Sequence, residues 1–239
     1  MAQKNTKQNQ QDILNVTKTA QYKTITELYQ RSQPSSAYYT LLLLSSFIIA
    51  SGLLLGNSAI VIGGMLVTPV LTPILLIALA LSVGEPRSLK NASLLVLKSA
   101  GIIMVVGFVM ALIFGSLRDA SLFLFENSLR GGILYFVVAL VSGVAATFAW
   151  VRKETAEILP GIAVSVSLVP PLSLLGIGLS GLEFQTARFG FLIFIFNLVG
   201  VIVGSMLVFS FLKFYKNEQT IEKEAREQEK AQHANAEKK

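Results

Sequence analysis

Charged residues along this chain come in clusters separated by long apolar runs. None lies between Arg31 and Glu85, Lys98 and Arg118, Arg130 and Arg152, Glu157 and Glu183, or Arg188 and Lys213, gaps of 53, 19, 21, 25 and 24 residues. A bilayer core about 30 Å thick is crossed by roughly 20 residues of helix, so the first gap holds two crossings and each of the others one. The expected spans are 38–55, 59–83, 93–117, 132–151, 159–181 and 189–212. These segments are apolar on every face, whereas six helices of a soluble core would keep polar stripes. The expected fold class is an all-α membrane protein with six transmembrane helices. A polar N-terminal tail covers 1–36, the membrane unit 37–213, and a charged C-terminal tail 214–239.

Composition agrees: 53% of the 239 residues are hydrophobic and 14% charged, against roughly a quarter charged in soluble domains. Lysine and arginine resist translocation, which orients the spans. Lys4, Lys7, Lys18, Lys23 and Arg31, then Arg87 and Lys90, then Arg152 and Lys153, then the basic residues after Leu212, fall on one side; the other has Arg118, Arg130 and Arg188. The expectation is a multi-pass protein of the cytoplasmic (inner) membrane with both termini cytoplasmic. More than thirty polar residues precede the first apolar run, so the first span is also the expected insertion signal. The N-terminal tail reads either as a weak amphipathic helix on the cytoplasmic surface, through Ile13, Leu14, Val16, Tyr22, Ile25, Leu28 and Tyr29, or as a disordered segment. The C-terminal tail reads as a helical continuation of span 6 that frays into solvent. Pro86 after Glu85 reads as the first turn of a helix.

Three echoes recur in order. Leu66-Val67-Thr68-Pro69-Val70 returns as Leu168-Val169-Pro170-Pro171-Leu172, a shift of 102; Ser51-Gly52 returns as Ser142-Gly143, a shift of 91; Gly101 returns as Gly200, a shift of 99. A unit of three crossings brings its second copy back upside down. The expectation is two inverted three-helix repeats, 38–117 and 132–212, with spans 2 and 5 broken by prolines at corresponding positions. Such pairs of interrupted spans point to a transport site at the bilayer midplane.

Each proline lacks an N–H and displaces the carbonyl four residues earlier. Pro69 thus frees the carbonyl of Met65, Pro73 that of Pro69, Pro170 that of Val166 and Pro171 that of Ser167. An unpaired carbonyl in hydrocarbon costs several kcal/mol, so a hydroxyl, a neighbouring helix, water or a ligand must meet it. Thr68 and Thr72 flank the first break; Ser165, Ser167 and Ser173 flank the second. With Pro69, Pro73, Pro170, Pro171 and Asn197 of span 6 they form the candidate substrate or pore set. Asn57 and Ser58 at the turn between spans 1 and 2, Gly63, Gly64 and Lys98 are secondary candidates. The alternative is a pair of kinked helices whose hydroxyls repair the backbone and do nothing else. Gly52-x3-Gly56 and Gly200-x3-Gly204 offer small-residue faces for contacts within or between subunits.

No Asp, Glu or His lies within any expected span and the chain has no cysteine, which argues against proton relays, aspartyl or thiol catalysis and metal sites. No enzyme activity, no cofactor, no metal and no nucleic-acid partner is expected. The expected partners are the lipid bilayer, a small solute or ion, and further copies in a homo-oligomer.

NSAIVIGGMLVTPVLTPI (Asn57–Ile74) and LPGIAVSVSLVPPLSLLGIGL (Leu159–Leu179), followed by Asn197-Leu198-Val199, resemble the prokaryotic membrane family called domain of unknown function 389, over about 38–212. The resemblance implies a multi-span protein of the cytoplasmic membrane and no particular function. Many members carry an acid-containing segment such as Thr-Glu-Ile before the fourth span, where this chain reads FENSLRGG, and sizeable soluble domains where it has short tails. The residues favour a transporter or channel with a midplane site at the two breaks; the alternative is a non-transporting scaffold or complex subunit.

Overall fold

The computed structural model describes residues 18–115, 129–152, 167–217, 222–223 and 226, and every long regular element among them is helical. In chain order these are α1 (Lys18–Arg31), α2 (Ser36–Leu54), α3 (Ser58–Val67), α4 (Leu71–Val83), α5 (Pro86–Phe114), α6 (Leu129–Val151), α7 (Val169–Ser180) and α8 (Phe184–Phe211), then a short 3-10 helix, Phe214–Asn217. Helices α2, α5, α6 and α8 are long and apolar enough to cross a membrane; α3 and α4 qualify jointly as a pair bent by 57°. That makes four spans, or five with the bent pair. The expected span 159–181 is represented by α7, with 12 residues, and its first part, 159–166, lies outside the described residues. Large apolar side chains point outward along the long helices, among them Phe47, Leu97, Ile113, Leu134, Val141 and Phe191. An apolar exterior of this extent suits lipid rather than water.

Local chemistry fixes the helix ends. Ser35 caps α2 by accepting from Tyr38 N at 3.1 Å, and Asn57 caps α3 by accepting from Ala59 N at 3.0 Å and Ile60 N at 3.3 Å. Glu85 caps α5 at Ser88 N, with Pro86 in the first turn as expected. Gly84, at φ 81°, ends α4 in the left-handed region where a side chain would be strained. Lys213, at φ 57°, ends α8, so the C-terminal tail is not an unbroken continuation of it; residues 222, 223 and 226 are helical and the rest of the tail after 217 lies outside the described residues. The chain folds back at Lys213, and Phe214 is buried edge-on against Phe209, with ring centroids 5.1 Å apart.

Two short helices occupy the centre. Residues Thr72–Ala80 of α4 are all buried, as is nearly all of α7. Both pack between the long helices α5 and α8. Helix α2 covers α3, α5 and α7, while α6 lies along α8. Gly143 meets Val201, Gly200 meets Phe136 and Ala139, and Gly204 meets Leu140 and Val144, so α6 and α8 run parallel. These contacts lie within one chain, so the Gly200-x3-Gly204 face serves internal packing. The echoes of small residues lack matching surroundings: Gly52 meets Val61 on the next helix, and Gly101 has nothing near it while Gly200 is tightly packed.

Over 18–31 the N-terminal tail is helical, but the apolar side of α1 faces the protein's own helices rather than a membrane surface. Its Ile25, Leu28 and Tyr29 are buried against α4 and α6, each burial worth about 1.5–3 kcal/mol, while Tyr22 stays exposed. Ile13, Leu14 and Val16 lie outside the described residues.

Candidate functional site

At the first break the backbone leaves the helical region at Thr68 (φ −72°, ψ 132°), and α4 resumes at Leu71 without a side-chain cap. The freed carbonyls are met inside the protein. Thr68 N donates to Met65 O at 3.3 Å, and Thr72 Oγ1 donates to Pro69 O at 3.2 Å. The same hydroxyl lies 3.4 Å from Arg31 O, and its single proton serves one carbonyl at a time. Thr68 Oγ1 is enclosed with no partner. Pro69 is half-buried and Pro73 buried as the third residue of α4.

At the second break Ser167 adopts φ 43°, in the left-handed region that costs a serine energy unless its surroundings hold it. They do: Asn197 of α8, 3% exposed, donates from Nδ2 to Ser167 O at 3.0 Å. That carbonyl is the one Pro171 deprives of its helical donor. Val166, the carbonyl freed by Pro170, lies outside the described residues, and so does Ser165. Pro170 and Pro171 are buried as the second and third residues of α7. Ser173 is 0% exposed and its Oγ has no partner.

Glycines clamp α7 at backbone contact on both sides. A Cβ placed on Gly107 of α5 would lie 2.6 Å from Ser173 O, one on Gly176 2.1 Å from Met104 O, and one on Gly190 of α8 2.5 Å from Pro171 O. Gly178 meets Ala187, so α7 and α8 run antiparallel through these contacts. No sequence signal separated Gly107 and Gly190 from the other glycines, because their partners are remote in the chain.

The structure thus joins Ser167 to Asn197 and Thr72 to Pro69 and Arg31, and α7 touches α2 and α3, the helices leading to the first break. The secondary candidates fall elsewhere. Asn57 caps α3 and Ser58 begins it; Gly63 opens on empty space; Gly64 seats against Ile49; Lys98 is exposed on α5. Among the described residues no group of three or more His, Cys, Asp or Glu side chains gathers to hold a metal. The charged residue at the first break is Arg31, whose guanidinium pairs with Glu27 at 3.1 Å and lies 5.5 Å over the ring of Trp150.

The first four N–H groups of a helix have no intrahelical acceptor and commonly receive anions. Prolines remove two of them at the start of α7 and one at the start of α4. Apart from Arg31, the polar groups that the described residues bring to the breaks are neutral: the hydroxyls of Thr68, Thr72 and Ser173, the Asn197 amide and carbonyl oxygens.

A sequence model of the family described as "Domain of unknown function (DUF389)" matches residues 65–203. An uncharacterized protein of Methanocaldococcus jannaschii is 22% identical over 173 residues, 71% of this chain and 52% of the relative. The chain thus spans about half the length of that curated relative. No solved structure matches.

Proposed function

The chain belongs to the DUF389 family, and on that premise we propose that it is a membrane transporter or channel for a small uncharged solute, with its site at the two proline breaks. The observation that carries this reading is the pair of hydroxyls, Thr68 Oγ1 and Ser173 Oγ, enclosed at the two breaks without a partner. Buried polar groups are nearly always hydrogen-bonded, and each left unmade costs about 1–3 kcal/mol. A solute that donates and accepts hydrogen bonds would supply what these hydroxyls lack. The Arg31 guanidinium near the first break is already paired with Glu27 and stacked on Trp150, and the prolines have thinned the N–H groups that would receive an anion, so the polar groups left over at the breaks suit a solute without net charge.

Six crossings in two inverted halves are the topology this reading needs. Tyr29 bonds Ser88 at the start of α5, Arg31 stacks on Trp150 at the end of α6, and Gln21 donates to Leu212 O, just past α8, at 2.8 Å. These three helix ends therefore share one side. On this reading, since α6 and α8 both finish there, the connection from 152 to 184 would return to the opposite side, and α7, antiparallel to α8, would be the last part of that return. The pair α3 and α4 would make the corresponding return in the first half. Pro73 and Pro171 are each the third residue of their central helix.

A scaffold role is the second reading. It is favoured by the internal repair of the carbonyls of Met65, Pro69 and Ser167, which leaves the backbone at the breaks with less need of a ligand. Proteoliposome swelling in osmotic gradients of small polyols and amides, set beside flux of phosphate and of sodium, distinguishes the two. Entry of an uncharged solute above protein-free liposomes is the expected result; uptake confined to ions removes the proposed chemistry, and no uptake of any solute leaves the scaffold.

A further inference from the structure

We propose that α1 is a releasable strap that ties the two halves of the membrane unit together at one end and closes the first break on that side. Its contacts reach both halves. In the first, Tyr29 bonds Ser88 of α5, and Arg31 O accepts from or abuts Thr72 Oγ1 at 3.4 Å, directly over the break. In the second, Gln21 Nε2 donates to Leu212 O at 2.8 Å, and the Arg31 guanidinium lies 5.5 Å over the Trp150 ring. Between these polar contacts Ile25 and Leu28 are fully buried. The strap lies outside the matched region 65–203.

Two properties make the strap a switch rather than a fixed part of the core. Helix α1 has 14 residues, and isolated helices shorter than about 12–15 residues are marginal in water, so undocking and unfolding are one event. Residues 32–35 tether it to the start of α2, so a released strap stays at high effective concentration and can redock. Docked, it covers Thr72, which is 8% exposed. Released, it opens that threonine and the break behind it to the aqueous phase on its own side.

The chain has no cysteine, so Thr72→Cys in the full-length protein carries its only thiol. In proteoliposomes, labelling of residue 72 by a membrane-impermeant maleimide is followed by mass spectrometry of its peptide. Adding Ile25→Asp and Leu28→Asp is expected to speed labelling about tenfold or more, as the docked population falls. An unchanged rate, with hydrogen exchange showing residues 18–31 unprotected, overturns the proposal. A second arm avoids any folding defect: with Thr72 intact, Gln21→Cys and Leu212→Cys, joined by a short reducible bis-methanethiosulfonate, should slow hydrogen exchange over residues 18–31 and recover on reduction. Failure to join the pair, or equal exchange rates before and after reduction, also overturns it. Labelling needs no solute, so its outcome is separate from that of the transport reading.

Discussion

Asn197 is the residue on which the second break turns. Its amide reaches across 30 residues of sequence to the Ser167 carbonyl, the group that Pro171 leaves without a helical donor. Asn197→Ala would strand that carbonyl in the interior and should lower stability by about 1–3 kcal/mol, seen as a lower unfolding midpoint in detergent. Asn197→Gln, which keeps a donor, should lose less; equal midpoints for all three proteins would remove the pairing as a cause of stability. Proline positions made the list of carbonyls in need of partners readable from the sequence. The partners themselves were not, apart from the hydroxyl of Thr72 close by: nothing in one sequence tells that Asn197 serves Ser167 or that Arg31 lies against Thr72.

At the scale of elements, hydropathy finds apolar segments but does not tell a helix bathed in lipid from one enclosed by other helices. Helices α4 and α7 are buried on nearly every face, yet along the chain they read like α2 or α8, whose outer faces are bare. The tails show the same limit: the apolar residues Ile25 and Leu28 are readable as one side of a helix, but neither they nor Phe214 reveal from the sequence that they are fully buried against the membrane helices. The 3-10 helix is therefore part of the fold, and Phe214→Ala should cost about 3–5 kcal/mol, like other large-to-small changes in a core. Thermal unfolding of that variant in detergent checks it; a midpoint equal to wild type would return the segment after Phe211 to the status of a loose tail.

For the whole molecule, the charge gaps locate the four long apolar helices and the bent pair, because a bilayer imposes length and polarity together, while the sixth expected span is represented among the described residues only by the 12-residue α7. The mutual arrangement depends on contacts between distant parts. Two buried helices stand between α5 and α8, α4 following the bend after α3 and α7 following the non-helical Ser167 and Leu168, and α1 fastens one end of the assembly. In the proposed mechanism the enclosed hydroxyls at those breaks receive the solute. The most direct test compares solute-driven swelling of proteoliposomes holding equal amounts of folded wild type and of Thr68→Val plus Ser173→Ala. Swelling by wild type that is lost in the double variant, with unchanged unfolding midpoints, is the predicted result. Equal swelling by both would contradict a site at the breaks.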